Sequence, residues 1–264
     1  MTVHVPSSRQ IPFEGVDNFR DYGDYPTASG QRLKRGLLYR SATHGKATDA
    51  DLEKMAALNL AAIVDLRRKN ERERDPSRRH PEFKGQVIYT DAGDVGEDPW
   101  QLFMRQSDLS AESFRGYMYD YYDEAPFVSR HLDLYSRYFQ VLADADGAVL
   151  IHCAAGKDRT GILAALTHHL AGVHDDDIVH DFLLTNDPQR LAQRLPLVMQ
   201  MMSETTGRTP SEGAVMVAMS VEPAYLERAF AAMTARYGST DNYLEAALGV
   251  DAALRERLEA RLLD

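Results

Sequence analysis

Short apolar runs alternate with longer amphipathic stretches over the first half of the chain. Runs at residues 37–39, 61–64, 87–89 and 148–151 are typical of buried strands. Thr48 is placed to cap a helix that runs to about Leu58, and a long helical stretch covers 127–143. Beyond residue 161 the pattern is helical throughout. The sequence therefore predicts an α/β fold, with a central parallel or mixed sheet flanked by helices and a site at the carboxyl ends of the strands.

The last apolar run leads into a segment with distinctive chemistry. It reads His152-Cys153-Ala154-Ala155-Gly156-Lys157-Asp158-Arg159-Thr160-Gly161 and contains the chain's only cysteine. A strand, a glycine-containing loop and a helix start together present amide donors and a partial positive charge, which suit a phosphate. The same field favours the thiolate form of Cys153. The segment therefore predicts an anion site with a nucleophile.

The other residues of this segment have complementary expected roles. The planar fork of Arg159, six positions after the sulfur, can grip two phosphate oxygens. The hydroxyl of Thr160 can donate to the sulfur when it leaves. His152 is expected to support the loop and tune the thiol. We expect substrate to be bound by Ala154, Ala155, Gly156, Lys157 and Thr160.

A proton donor for the leaving oxygen has several candidates. Asp158 lies inside the loop, where a bound phosphate dianion would make its carboxyl group hold a proton more tightly. Asp91, Asp94 and Asp98 form a rival group in a glycine-containing stretch. Asp65 and water alone are further alternatives, with Asp65 otherwise a supporting residue. We favour Asp158.

Residues 152–160 resemble the signature loop of the cysteine-dependent protein tyrosine phosphatase superfamily: Cys, five residues, Arg, Ser/Thr. Residues 156–160 are similar to the atypical bacterial branch that includes secreted mycobacterial and listerial tyrosine and phosphoinositide phosphatases. Residues 18–23, 35–41, 63–67 and 237–249 resemble further blocks of that branch. The resemblance implies hydrolysis of phosphate monoesters, foremost protein phosphotyrosine, through a phosphocysteine intermediate. Phosphoinositide or dual-specificity activity is the alternative. No metal or other cofactor is implied.

Other functional classes fit parts of the chain. The run from His168 to Asp181 holds enough histidine and aspartate for a metal-dependent phosphohydrolase, although Asp175 to Asp177 suit a helix start. A phosphate-binding module without turnover is a second alternative. A sulfur transferase or arsenate reductase would share the loop geometry, but Thr160 and the other matching blocks favour a phosphatase.

Length and composition predict one domain over residues 1–264, because no Pro/Gly/Ser-rich linker divides the chain. The stretch 186–220 contains three prolines and five of the ten methionines. Methionine suits surfaces that repack, so this stretch is predicted to be a helical lid, with ordinary core packing as the alternative. The tyrosines Tyr117, Tyr119, Tyr121 and Tyr122 are interpreted as packing residues of an amphipathic helix.

The formal net charge of −10 argues against nucleic acid as a partner and against a membrane-seeking surface. A phosphorylated protein or a phosphoinositide is the expected partner. Residues 67–79 are basic on balance and predict either a solvated helix with Glu–Arg pairs or a flank of the site. Arg67, nearest the strand end, is the expected substrate contact in this run.

One cysteine permits no disulfide within the chain, and its thiol is best preserved in a reducing compartment. Residues 1–9 lack the apolar core of a secretory signal, and no apolar run is long enough for stable membrane insertion. The sequence therefore predicts a cytoplasmic protein, with signal-independent export left open by the secreted relatives.

Overall fold

The computed structural model describes residues 9–93 and 96–264. One mixed sheet has the strand order β1-β2-β5-β3-β4. Its strands are β1 (Arg20–Asp21), β2 (Leu38–Ser41), β3 (Leu60–Asp65), β4 (Gln86–Ile88) and β5 (Ala148–His152). Only the pairing of β1 with β2 is antiparallel among these strands. The predicted α/β class, the mixed sheet and its four main strands are confirmed.

The described helices flank the sheet and fill the carboxyl-terminal half of the chain. They are α1 (Asp49–Ala56), α2 (Lys69–Arg74), α3 (Pro99–Gln106), α4 (Ala111–Glu124), α5 (Ser129–Asp144), α6 (Asp158–Leu170), α7 (Asp175–Leu183), α8 (Pro188–Thr206), α9 (Glu212–Met219), α10 (Pro223–Tyr237), α11 (Thr240–Leu248) and α12 (Ala252–Leu262). Thr48 caps α1 as predicted, and its side chain accepts a hydrogen bond from the amide of Asp51. The helix ends two residues earlier than expected.

The central strand β5 is buried along its whole length and separates two layers of core. Val149 and Ile151 pack in a large cluster shared with α5 and α6. Ala148 and Leu150 face a smaller cluster shared with α1. Successive side chains of a strand point to opposite faces, so β5 packs against helices on both sides of the sheet. The residues that follow its carboxyl end lie at the edge of the sheet, where the site is predicted.

The stretch 186–220 is helical, as predicted, and forms α8 and α9. These helices pack with α3 and α4 around their own apolar cluster, which includes Met104, Phe114, Leu191 and Met202. Met202 is almost fully buried, whereas Met201 is 49% exposed. The methionines thus serve both the packing of this cluster and an open surface. Whether the stretch moves as a lid stays a prediction.

No helix in residues 9–93 and 96–264 combines the length and the apolarity that crossing a bilayer requires. The prediction about a secretory signal concerns mainly residues 1–8, which lie outside the described residues.

Candidate active site

The cysteine loop lies at the carboxyl end of β5. Cys153 directly follows the strand and is 2% exposed, and α6 begins at Asp158. Backbone carbonyls of the loop are hydrogen bonded by the amino-terminal part of the chain. The amide of Thr43 donates to the Ala154 carbonyl at 3.2 Å. The Asn18 side chain donates to the carbonyls of Ala155 and Gly156 at 3.1 and 3.0 Å.

These carbonyl contacts fix the direction of the loop amides. In a trans peptide the C=O and the following N–H point in opposite directions. The amides of Ala155, Gly156 and Lys157 therefore point away from the groups that hold the carbonyls. No hydrogen bond within the described part of the chain uses these three amides. They are free to bind an anion, as the sequence predicts for this loop.

Gly156 is required by two features of the loop. Its φ of 64° lies in the left-handed region, where other residues are strained. A Cβ at this position would lie 2.5 Å from the carbonyl carbon and oxygen of Ser41. The loop is therefore pressed onto the end of β2 at a distance that only glycine permits.

Arg159 is held by Glu71, a carboxylate that no feature of the sequence marks as functional. Its Nη1 and Nη2 donate to the two carboxylate oxygens of Glu71 at 2.5 and 2.7 Å, and Nη1 also donates to the Leu66 carbonyl at 3.1 Å. Burial alone would raise the pKa of Glu71, but the charge and hydrogen bonds of Arg159 lower it to about 2. The pair is therefore ionised at neutral pH.

The contacts of Arg159 leave one edge of its guanidinium group available. Both hydrogens of Nη1 and one of Nη2 are used by Glu71 and Leu66. The remaining hydrogens, on Nε and Nη2, lie side by side on one edge and match two oxygens of a phosphate. The arginine is thus oriented for the bidentate role that the sequence predicts.

Asp158, the favoured proton donor, is the first residue of α6 and its side chain is 23% exposed. It accepts a hydrogen bond from the Tyr122 hydroxyl at 2.8 Å and lies 3.4 Å from the Lys157 ammonium. The burial of Tyr122 and the nearby Asp158 charge raise the pKa of this tyrosine well above its usual value. Tyr122 therefore stays protonated and can donate to the carboxylate.

The rival carboxylates have other partners. Asp98 caps α3 by accepting from the Trp100 amide at 2.9 Å, and Asp91 pairs with Arg72. Burial would raise the pKa of Asp65, but nearby positive charge and hydrogen bonds hold it well below its usual range, so this carboxyl has no proton to donate at neutral pH. Asp94 lies outside the described residues. Asp158 stays the predicted proton donor.

The side chain of Lys157 does not occupy the place expected of a substrate contact, although its backbone amide belongs to the three that are free to bind an anion. Its buried ammonium donates to the carbonyls of Ala218 and Ser220 at 2.7 and 3.2 Å, at the carboxyl end of α9. These carbonyls carry the negative end of the helix dipole, which attracts a cation. The Lys157 side chain therefore binds α9 and not the substrate oxygen that the sequence had suggested.

Arg67 also differs from its expected role. It is 1% exposed, and Nε and Nη2 donate to the two oxygens of Asp65 at 2.9 and 2.7 Å. Nη1 donates to Thr43 at 2.9 Å and to the Asp75 carbonyl at 2.6 Å, and Nη2 also reaches Ser77. Because every guanidinium nitrogen has an internal partner, Arg67 supports the site from inside and is not placed to contact substrate.

The interpretation of residues 67–79 as a solvated helix holds only in part. Lys69 and Glu73 do form an exposed i,i+4 pair, with their charged atoms 3.8 Å apart. Glu71, on the same short helix, is 8% exposed and faces Arg159. The order of charged residues in the sequence does not reveal which of these two glutamates is buried.

Thr160 keeps its expected place at the start of α6. Its hydroxyl oxygen is buried and has no hydrogen-bond partner in the described part of the chain. A buried hydroxyl without a partner is costly, so this group is suited to a partner that arrives with substrate or forms during reaction.

Several tyrosines of α4 border the site, which the packing interpretation did not anticipate. Tyr117 is influenced by the charges of Asp158 and Arg159, and burial raises its pKa to about 12. Tyr121 is close enough to Cys153 and Arg159 for their charges to affect its ionisation. The α4 helix therefore contributes an aromatic wall. The only sequence signal was the density of tyrosine.

The run from His168 to Asp181 does not form a metal centre. His168 Nε2 contacts the Tyr22 carbonyl at 2.6 Å, and Asp181 is bound by Arg20 and Arg40. Within the described residues, no group of three or more His, Cys, Asp or Glu side chains is placed to share an ion. Asp175 to Asp177 occupy the first turn of α7, where the helix dipole favours them.

A stacked histidine pair supports the strand end beneath Cys153. The rings of His44 and His152 lie 4.2 Å apart, and His152 is 3.5 Å from an oxygen of Asp65. Burial lowers the pKa of His152 to about 4, although the Asp65 charge acts in the opposite direction. Burial also lowers the pKa of His44 well below its usual value. Both rings are neutral at pH 7.

This pair predicts a loss of stability in acid. The unfolded chain takes up a proton at His152 below about pH 6.5, whereas the folded chain does so only near pH 4. The histidines therefore do not lower the free energy of unfolding above pH 6.5. As the pH drops toward 4, that free energy falls by up to about 1.4 kcal/mol per pH unit for each such group. Urea unfolding at several pH values measures this slope.

The variant His152→Gln is expected to make the free energy of unfolding less dependent on pH, by an amount that corresponds to about one proton. His174→Gln, at the exposed start of α7, is the matched control and is expected to leave the slope unchanged. Equal slopes for wild type and His152→Gln would contradict the assignment of a neutral buried ring.

Comparisons with known proteins agree with this geometry. A sequence profile of the tyrosine phosphatase family matches residues 11–264. A candidate tyrosine-protein phosphatase of Cupriavidus necator is 32% identical over 94% of this chain and 88% of its own length. The triple specificity protein phosphatase PtpB of Mycobacterium tuberculosis is 30% identical over 97% of this chain and 99% of its own length. A tyrosine-protein phosphatase of Nostoc commune is 31% identical over 61% of this chain and 52% of its own length.

The family match covers both the amino-terminal segments that hold the cysteine loop and the helices that follow it. The predicted superfamily and enzyme class are confirmed. The chain belongs to the tyrosine phosphatase family, whose members hydrolyse phosphate monoesters.

Proposed function

We propose that this enzyme removes phosphate from protein phosphotyrosine, with Cys153 as the nucleophile and a phosphocysteine intermediate. The observation that carries the proposal is the orientation of the loop after Cys153. Three consecutive amides have no acceptor within the described residues, because the carbonyls that precede them are held by Thr43, Asn18 and Arg40. This cradle and the free edge of Arg159 match the oxygens of a phosphoryl group.

The first step transfers the phosphoryl group to sulfur. The thiolate of Cys153 attacks phosphorus in line, and the bond between phosphorus and the tyrosyl oxygen breaks. Arg159 and the loop amides bind the three equatorial oxygens, where charge is spread in the transition state. Asp158 gives its proton to the leaving oxygen, which departs as a neutral phenol.

The second step regenerates the thiolate. Asp158, now ionised, takes a proton from water while the water oxygen attacks phosphorus. The phosphorus–sulfur bond breaks, inorganic phosphate leaves, and the electron pair returns to Cys153. The hydroxyl of Thr160, which is buried without a partner among the described residues, donates to the departing sulfur. Tyr122 orients the Asp158 carboxylate in both steps through its 2.8 Å hydrogen bond.

The aromatic wall of α4 supports phosphotyrosine as the substrate. Tyr117 is partly exposed and feels the charges of Asp158 and Arg159, so an aromatic leaving group can pack against it. Activity on phosphoserine, phosphothreonine or phosphoinositides is the second candidate. It is supported by the similarity to the triple specificity phosphatase, which covers nearly the full length of both chains.

The lid and the single domain are also part of the proposal. The buried contact of Lys157 with the end of α9 supports a cover that adjoins the loop directly. One apolar cluster that extends from Tyr22 to Leu262 supports a single folding unit. The free thiol of Cys153 supports a reducing, cytoplasmic working compartment.

Substitution of Cys153 provides the direct test of the nucleophile. Cys153→Ser is expected to abolish turnover of a phosphotyrosyl peptide while the peptide still binds, because the cradle and Arg159 remain. Steady-state assays and calorimetric binding measure the two quantities. A Cys153→Ser enzyme that retained a tenth of the wild-type rate would contradict the mechanism.

Asp158→Asn separates the proton donor from its rivals. The variant is expected to lose about 10²- to 10⁴-fold in kcat with a phosphotyrosyl peptide. The loss should be much smaller with an aryl phosphate whose leaving group needs no proton. Asp91→Asn and Asp98→Asn are the matched controls and are expected to keep near wild-type rates. A loss confined to either control would transfer the acid role to the 91–98 stretch.

Glu71→Ala tests the orientation of Arg159. Without the carboxylate the guanidinium can turn, and kcat/KM is expected to fall roughly 10²-fold, together with affinity for the phosphate analogue vanadate. Glu73→Ala changes an exposed glutamate of the same helix and is expected to have no effect on either quantity. Wild-type vanadate affinity in Glu71→Ala would show that Arg159 needs no such partner.

A further inference from the structure

Three ionic side chains that take no chemical step in the proposed mechanism are buried behind the cysteine loop. Arg20 and Arg40 are fully buried and Asp181 is 1% exposed. Asp181, on α7, accepts from Arg20 Nε at 3.1 Å and from Arg40 Nη1 at 2.6 Å. Burying charge is costly, and apolar residues often replace such clusters with no loss of stability. Stability alone is therefore a weak reason for this cluster.

The cluster carries a net positive charge. Burial would raise the pKa of Asp181, but Arg20 and Arg40 hold it well below its usual range. Burial lowers the pKa of Arg40 to about 10, so this arginine remains protonated at neutral pH. Two guanidinium groups thus oppose one carboxylate, and one positive charge has no balancing charge within the cluster.

Both arginines reach the carbonyl side of the loop. Arg40 Nη2 donates directly to the Gly156 carbonyl at 3.0 Å. Arg20 Nη1 donates at 2.6 Å to the side-chain oxygen of Asn18, whose amide nitrogen binds the same Gly156 carbonyl at 3.0 Å. The Gly156 carbonyl therefore has two donors, and the Lys157 amide that follows it must point to the opposite side.

The distance between this charge and the loop is fixed by packing. Arg40 is part of β2, which pairs with β5 so that Arg40 lies beside Ile151 and Ser41 beside His152. A side chain at Gly156 would collide with Ser41, and one at Gly161 would lie 3.5 Å from Arg40 Nη2. The guanidinium group thus lies between Asp181, the loop and the first turn of α6.

We infer that Arg40, held in place by its ion pair with Asp181, is a positioning residue for phosphoryl transfer. It turns the peptide between Gly156 and Lys157 so that its N–H faces the phosphate, and it places a buried positive charge behind the loop that stabilises the thiolate and the bound dianion. Arg20 acts in the same way through Asn18. This inference deepens the proposed function, because it assumes that Cys153 and its loop receive the phosphoryl group.

The test measures ionisation of Cys153 separately from turnover. Cys153 is the only cysteine, so the rate of alkylation by iodoacetamide as a function of pH reports this thiol alone. Arg40→Met is expected to move the midpoint of that profile upward by roughly one pH unit. Vanadate affinity and kcat/KM for a phosphotyrosyl peptide are each expected to fall at least tenfold.

Two further variants separate charge from hydrogen bonding. Arg40→Lys keeps the charge but cannot bind Asp181 and Gly156 with one planar fork, so its alkylation midpoint should stay near that of wild type while kcat falls. Asp181→Asn removes the negative charge, so its midpoint should be no higher than that of wild type, while kcat falls because Arg40 loses its lock. These two variants also carry the test if Arg40→Met does not fold.

Arg32→Met is the matched control, because Arg32 is an exposed arginine whose ion-pair partner is Asp24. It removes the same formal charge from the surface and is expected to leave the alkylation profile, vanadate affinity and kcat/KM unchanged.

The inference is overturned if Arg40→Met keeps the wild-type alkylation midpoint and vanadate affinity, or if Asp181→Asn raises the midpoint as Arg40→Met should. Either result leaves the proposed function intact as long as Cys153→Ser is inactive. An active Cys153→Ser enzyme would instead refute the proposed function itself.

Discussion

The site depends on hydrogen bonds to backbone carbonyls, made on the side of the cysteine loop away from the anion position. A planar trans peptide cannot present its carbonyl and the following N–H to the same side. Thr43, Asn18 and Arg40 hold three successive carbonyls and thereby turn three amides toward one place. Residues early in the chain thus set the direction of the amides after β5, and the segments around β1 and β2 belong to the candidate site.

Three arginines around this loop each pair with a buried carboxylate, but they differ in which donors remain unused. Arg159 has Glu71, Arg67 has Asp65 and Arg40 has Asp181 as a buried carboxylate partner. A carboxylate fixes the plane of a guanidinium group and so decides which edge remains free. For Arg159 that edge is available to a ligand. Arg67 has no unused nitrogen. Arg40 shares its carboxylate with Arg20, so that cluster keeps one positive charge without a balancing carboxylate in the cluster.

The sequence predicted features that arise from neighbouring residues. The apolar run before Cys153, the glycine loop and the helix after it are all local, as is the cap of α1 at Thr48. Glu71 was missed because its partner Arg159 is 88 positions away and no periodicity marks it. β1 was missed because it has only two residues. The prediction that Arg67 contacts substrate was wrong. It rested on proximity to a strand end, which does not reveal that Asp65, two positions earlier, binds the guanidinium group.

The contact between Lys157 and the end of α9 links the loop to the helices beside it. In the described structure the ammonium has two carbonyl acceptors there and Asp158 at 3.4 Å. A displacement of α9 would take both carbonyls from the ammonium and expose it to water. The position of α9 and the conformation of the loop are therefore energetically coupled through a single side chain.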